Sequence, residues 1–124
     1  RDNGIQDVAF LTGDQHTFMA APVSTDDDDP SAPLVAYEYT GGSVTSPSGP
    51  LEVLLAGGLG RYETRPRFDY MEVRRNGYGL AEVTPEQMTV TFHELRPTSP
   101  GAVPTPRVRF TATPGTVQPT VTRL

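Results

Sequence analysis

The sequence predicts a predominantly β piece built from hairpins, and three observations carry that expectation. Apolar and polar residues alternate with a period of two in three separate stretches. Gly and Pro, 12 and 13 of the 124 residues, cut the chain into short segments of strand length. Sustained helical spacing of apolar residues is scarce.

Taken in order, residues 7–12 read as a buried strand, continuously apolar after Asp7 and closed by Gly13. A strand of that composition expects neighbours on both sides. Residues 16–23 form a second apolar stretch whose pattern fits a strand or a short helix equally. Asp26 to Asp29 and Pro30 make a polar, self-repelling loop. Residues 34–40 set Val35, Tyr37 and Tyr39 against Ala36, Glu38 and Thr40, the alternation of a half-buried strand. A Gly-, Ser- and Pro-rich loop follows over 41–50. Residues 51–59 suit a short apolar helix weakened by Gly57 and Gly58. Residues 68–73 and 78–83 read as strands joined through Asn76-Gly77, a favourable hairpin turn. Thr84-Pro85-Glu86 turns the chain again, and Met88, Val90 and Phe92 then face away from Thr89, Thr91 and His93. A Pro-rich connector, 97–106, leads to a last strand in which Val108, Phe110 and Ala112 alternate with Arg107, Arg109 and Thr111. Beyond Pro114 little anchors the tail.

Composition narrows the function classes. There is no Cys, so disulfides, thiolate zinc sites and thiol nucleophiles drop out together. A net charge of −5 opposes a nucleic-acid scaffold, which needs clustered positive charge for counterion release. Every basic side chain is Arg, with Arg61, Arg65, Arg67, Arg74 and Arg75 loosely grouped. No apolar run approaches the roughly 20 residues of a transmembrane helix, and no secretory signal is visible. The chain begins at Arg1, as expected of a processed product or part of a longer protein.

Asp14 and His16 carry the chemical interest. An apolar run delivers a carboxylate and an imidazole two positions apart, both ligands for Zn, Fe, Mn or, through the carboxylate, Ca. In an extended segment residues i and i+2 project to one side, and Gly13 permits a sharp turn. A metal held there could polarise a phosphate. The alternative is a solvent-facing turn in which Asp14 caps backbone amides and His16 is incidental. Two ligands do not complete a site, so its other donors must lie elsewhere. The Asp26 to Asp29 tract lacks the spacing and Gly of a calcium loop and reads as solvated. His93 reads as exposed, and Ser43 and Ser46 as turn formers. No Gly-x-Ser-x-Gly elbow is present, which argues against a serine hydrolase.

The stretch Phe10-Leu11-Thr12-Gly13-Asp14-Gln15-His16-Thr17-Phe18 resembles the late metal-binding motif of PhoD-type alkaline phosphatases and phosphodiesterases, a hydrophobic strand followed by Gly-Asp-x-His. The likeness continues in order through Val35-Ala36-Tyr37-Glu38-Tyr39-Thr40-Gly41-Gly42-Ser43-Val44-Thr45-Ser46, then Arg74-Arg75-Asn76-Gly77-Tyr78 and Glu82-Val83-Thr84-Pro85-Glu86. The resemblance implies a four-layer α/β metallophosphoesterase sandwich. Residues 1–96 would be the C-terminal part of that domain, and 97–124 a Pro-rich connector, last strand and tail. An N-terminal portion of the same enzyme, the expected partner, would complete the fold and supply most metal ligands. Asp14 and His16 would be the last of them. The chemistry implied is attack by a metal-bound hydroxide on a phosphomonoester or phosphodiester, including phospholipids cleaved in the manner of a phospholipase D, by a secreted bacterial enzyme. Where family members often carry Asn-Pro-His, this chain has Arg65-Pro66-Arg67. Arg65 and Arg67 could meet a substrate phosphate bidentately or be ordinary solvated loop charges. A different reading of the whole is a self-contained, secreted β-sandwich that binds carbohydrate or a surface and catalyses nothing.

Overall fold

The computed structural model of the chain describes residues 4–49 and 68–124. The expected short helix over 51–59, and Arg65 and Arg67, lie outside the described residues. Within them the chain forms eight strands: β1 (Val8–Thr12), β2 (Phe18–Ser24), β3 (Leu34–Thr40), β4 (Tyr70–Glu72), β5 (Asn76–Val83), β6 (Met88–Leu95), β7 (Thr105–Ala112) and β8 (Thr120–Arg123). One sheet has the order β1-β3-β2-β4 and the other is the meander β5-β6-β7-β8.

Aromatic residues at alternate strand positions hold the two sheets face to face. Phe18 and Ala20 of β2 and Tyr37 and Tyr39 of β3 pack against Val90 and Phe92 of β6 and Val108 and Phe110 of β7. The rings meet at tilted or edge-on angles, Phe18 with Phe92 at 5.1 Å and Tyr39 with Phe110 at 5.4 Å between centroids. These arrangements suit the ring quadrupoles. Tyr37 keeps its hydroxyl satisfied inside the sandwich by donating to Asp69 Oδ2 at 2.6 Å. Burial and the Asp69 carboxylate both push this phenol far above its ordinary pKa, and burial raises Tyr39 to about 12.

The alternating stretches are strands whose Tyr37, Tyr39, Val90, Phe92, Val108 and Phe110 face the core. Ala36 and Thr40 of β3 and Thr91 of β6, on the opposite faces, are buried as well. Residues 16–23 fall largely in strand β2. Four expectations change. β1 is a strand but not a buried one: among the described residues it pairs in parallel only with β3, and Phe10 and Leu11 are 47% and 58% exposed. Its apolar run is therefore presented at an open sheet edge. Asn76-Gly77 is not a hairpin turn: β4 pairs with β2 in the first sheet, whereas Asn76 and Gly77 pair with Leu95 and Glu94 in the second. The chain crosses between sheets there. Gly77 has φ +154°, and a Cβ on it would lie 1.8 Å from the His93 carbonyl oxygen, so only glycine fits. The tail is anchored, because β8 pairs with β7 and the Leu124 amide donates to the Arg107 carbonyl. His93 is not freely exposed: its ring stacks on Tyr78 at 5.1 Å and 9°, and its Nδ1 is buried without a partner among the described residues. The Thr84 turn is as expected, with the Thr84 amide donating to the Gln87 carbonyl to close the β5–β6 hairpin.

Candidate metal-binding corner

β1 and β3 run parallel, so their C-terminal ends open on the same side of the sheet, where ligand sites of parallel strands form. Hydrogen bonds tie those two ends together. Thr12 Oγ1 donates to Glu38 Oε1 at 2.8 Å and lies 3.0 Å from Thr40 Oγ1, and the Gly41 amide donates to the Thr12 carbonyl. The residues after each strand, 13–17 and 41–49, therefore lie side by side.

Asp14 and His16 do not sit in an extended segment. The Gln15 amide donates to the Gly13 carbonyl at 2.9 Å, closing a γ-turn around Asp14, whose φ is +72°. His16 also has a positive φ, +53°. The reversal is thus made by the two candidate ligands themselves and not by Gly13, where an added Cβ would meet nothing within 4 Å. Left-handed backbone at non-glycine residues costs of order 1–3 kcal/mol each and gathers at ligand clamps and active sites. Both side chains are exposed.

The His16 ring is oriented by its neighbour loop. Its Nδ1 lies 3.3 Å from the Pro47 carbonyl oxygen, which can only accept, so Nδ1 carries the proton and Nε2 keeps its lone pair. Ser48 Oγ donates to the His16 carbonyl at 2.8 Å and accepts from Thr17 Oγ1 at 3.0 Å. A backbone carbonyl fixing one imidazole nitrogen and leaving the other for the ion is the usual support of a metal-binding histidine. The donor set fits a metal ion as a contributor of one oxygen and one nitrogen. Among the described residues no group of three or more His, Cys, Asp or Glu could hold one. Nothing in the sequence pattern flags Pro47, Ser48 or Thr17, because their parts are played by a carbonyl and two hydroxyls.

The other candidates fall into structural roles. Ser43 Oγ accepts from the Ser46 amide and shapes a turn. In the acidic tract, Asp26 Oδ1 accepts from the Asp28 amide and Asp29 Oδ1 from Ser31, so these carboxylates fold their own loop. Arg75 is not free to meet a phosphate: it pairs with Glu72 at 3.2 Å and with Glu94. Glu94 is 9% exposed, and its Oε2 also accepts from Arg107 Nε at 2.6 Å. Burial pushes its carboxyl up, but the hydrogen bonds and charges of Arg107 and Arg75 outweigh burial and hold it below the usual carboxylate range.

The sequence model for the PhoD-like phosphatase matches residues 1–92. Among solved structures, one described as the structure of PhoD superposes with a TM-score of 0.74 at 22% identity, covering 97% of this chain and 23% of that one. The chain thus spans less than a quarter of that protein's length, and at this identity the likeness concerns the fold. No curated protein sequence matches. With the family model covering three quarters of its residues, the chain belongs to the PhoD-like phosphatase family.

Proposed function

We propose that this chain is the C-terminal part of a metal-dependent phosphoric ester hydrolase and contributes Asp14 and His16 to its metal centre. The observation that carries the reading is the corner beyond β1. Two strained ligand-type residues stand at the end of a parallel strand, one with its Nδ1 committed to Pro47 and its Nε2 free. A bound Zn, Fe, Mn or Ca ion supplies Lewis acidity toward a phosphoryl oxygen and acidifies water. The residues of this chain hold and orient: Asp14 offers a carboxylate, His16 a fixed imidazole tautomer, and the 43–48 loop keeps the imidazole in place.

The remaining donors come, in this reading, from an N-terminal portion of the same protein. The parallel edge of β1, with Phe10 and Leu11 exposed along it, offers that portion unpaired backbone and apolar surface. The substrate class is a phosphomonoester or a phosphodiester, with phospholipid head-group release as the diester case, and the enzyme acts outside the cell. Arg65 and Arg67 are kept as candidate phosphate contacts. Assaying the full-length protein for p-nitrophenyl phosphate turnover and for choline release from phosphatidylcholine tests this. Both activities, or choline release alone, support a diesterase; monoester turnover alone excludes the phospholipase type, and neither activity opposes hydrolysis altogether.

One observation favours a second reading, a binding module without catalysis. The two sheets close over their own aromatic core among the described residues, as a self-sufficient sandwich does. That reading predicts a cooperative monomer that binds no metal at Asp14 and His16.

A further inference from the structure

His16 is only as well oriented as the loop whose carbonyl it meets, and that loop has few internal bonds. What fixes it from outside is the start of β5. Asn76 Nδ2 donates to two carbonyls of the loop, Ser43 at 3.1 Å and Ser46 at 2.9 Å. The next amide, of Gly77, donates to the same Ser43 carbonyl at 2.8 Å. Gly77 itself is locked against the His93 carbonyl of the second sheet, where no side chain fits. The loop is thus bolted to the second sheet at residues 43 and 46. At its other end Ser48 is tied to His16 and Thr17. Pro47, between these two attachments, is the residue whose carbonyl receives His16 Nδ1.

We infer that Asn76 is a positioning residue for the metal centre. Through the 43–48 loop it sets the Pro47 carbonyl, and through that carbonyl it sets the tautomer and direction of His16. The inference rests on the reading of His16 as a metal ligand. The residue type is suited to the task. One amide group carries two N–H donors for two carbonyls, whereas Asp, of the same shape, would offer only acceptors to them and would repel both. Groups that orient a ligating histidine from outside typically change metal affinity by roughly 10–100-fold when removed.

The test uses the full-length protein and Zn²⁺ alone, its affinity read by competition with a chromophoric chelator. Co²⁺ substitution gives a visible spectrum as a signature of the coordination sphere. Asn76→Asp and the milder Ser48→Ala, which removes the other attachment, are compared with wild type and with Val90→Ala. The last is a core variant that lowers stability without touching the loop. The inference expects Zn²⁺ affinity to fall roughly 10-fold or more in Asn76→Asp and less in Ser48→Ala, with an altered Co²⁺ spectrum in both. Val90→Ala should match wild type in affinity and spectrum. His16→Ala separates the two levels. If it leaves Zn²⁺ binding unchanged, the ligand reading itself fails. If it abolishes binding while Asn76→Asp and Ser48→Ala bind as wild type does, only the positioning role is overturned. Should Asn76→Asp fail to fold, Asn76→Ala, which removes both amide donors without adding repulsion, is read in its place, and an unchanged affinity and Co²⁺ spectrum in it overturn the positioning role.

Discussion

Asp14 and His16 adopt backbone conformations that a β-rich chain normally gives to glycine, while Gly13 beside them does not. Asp7, before β1, shares this backbone conformation, so the local reason to read a site at Asp14 and His16 is that the two stand together around Gln15 with the His16 ring held by the Pro47 carbonyl. The backbone also predicts an inversion of glycine behaviour. Gly13→Ala should shift stability by no more than about 0.5 kcal/mol, since its Cβ points into open space. Gly77→Ala should cost about 3 kcal/mol or more, since its Cβ would overlap a backbone carbonyl. Urea unfolding midpoints of the two variants check this. Glu94 gives a second test at the same scale. Its folded pKa is depressed by Arg107 and Arg75. Its stabilisation is therefore complete above the unfolded carboxylate value of roughly 4.3 and is lost as pH falls through the lower folded value. Glu94→Gln should lose about 1–2 kcal/mol at pH 7, discounted for the 42% and 37% exposed arginines. It should also flatten the acid limb of stability against pH; an unchanged limb would assign acid sensitivity to other carboxylates.

At the scale of elements, β1 is the strand whose sequence and surroundings disagree. Val8 to Leu11 is the run of a strand covered on both faces, yet Phe10 and Leu11 face outward and the edge is open. Leu11→Lys should make the isolated chain more soluble and weaken its association with the N-terminal portion in pull-down. Equal solubility and equal association would show that this edge receives nothing. The same strand shows what could be read from sequence. Period-two alternation located β3, β6 and β7, because their faces meet a core of this chain's own residues. Asn76-Gly77 was misleading for a physical reason: the dipeptide suits a tight turn, but here it begins a ladder with Leu95 and Glu94 while the Asn side chain clamps a distant loop. β8 was missed because its strand, Thr120–Arg123, is short and exposed and gains order from β7 alone. Asp14 and His16 were legible as ligand types. The Pro47 carbonyl that orients His16 was not, because a backbone oxygen leaves no mark in a sequence.

The molecule as a whole is held by aromatic rings between two sheets, and three of them titrate. Tyr37, Tyr39 and Tyr70 are all pushed upward by burial, Tyr39 to about 12. The neutral phenols therefore stabilise the fold fully below the unfolded value of roughly 10, and that stabilisation is lost as pH rises through the folded values. Absorbance at 295 nm should report these three phenols ionising together with loss of the β signal in circular dichroism, above about pH 11. Ionisation of all five tyrosines of the chain near pH 10 with the β signal intact would mean that the three rings are not enclosed as described.

The sandwich, with its strained corner at one end, makes chemical sense if the corner faces a cation shared with the rest of the protein. Metal content of the full-length protein by X-ray fluorescence, in wild type, Asp14→Asn and His16→Ala, addresses that most directly. Wild type should carry bound metal and both variants should lose most of it, together with hydrolytic rate. Undiminished metal and an undiminished rate in the two variants would contradict the assignment.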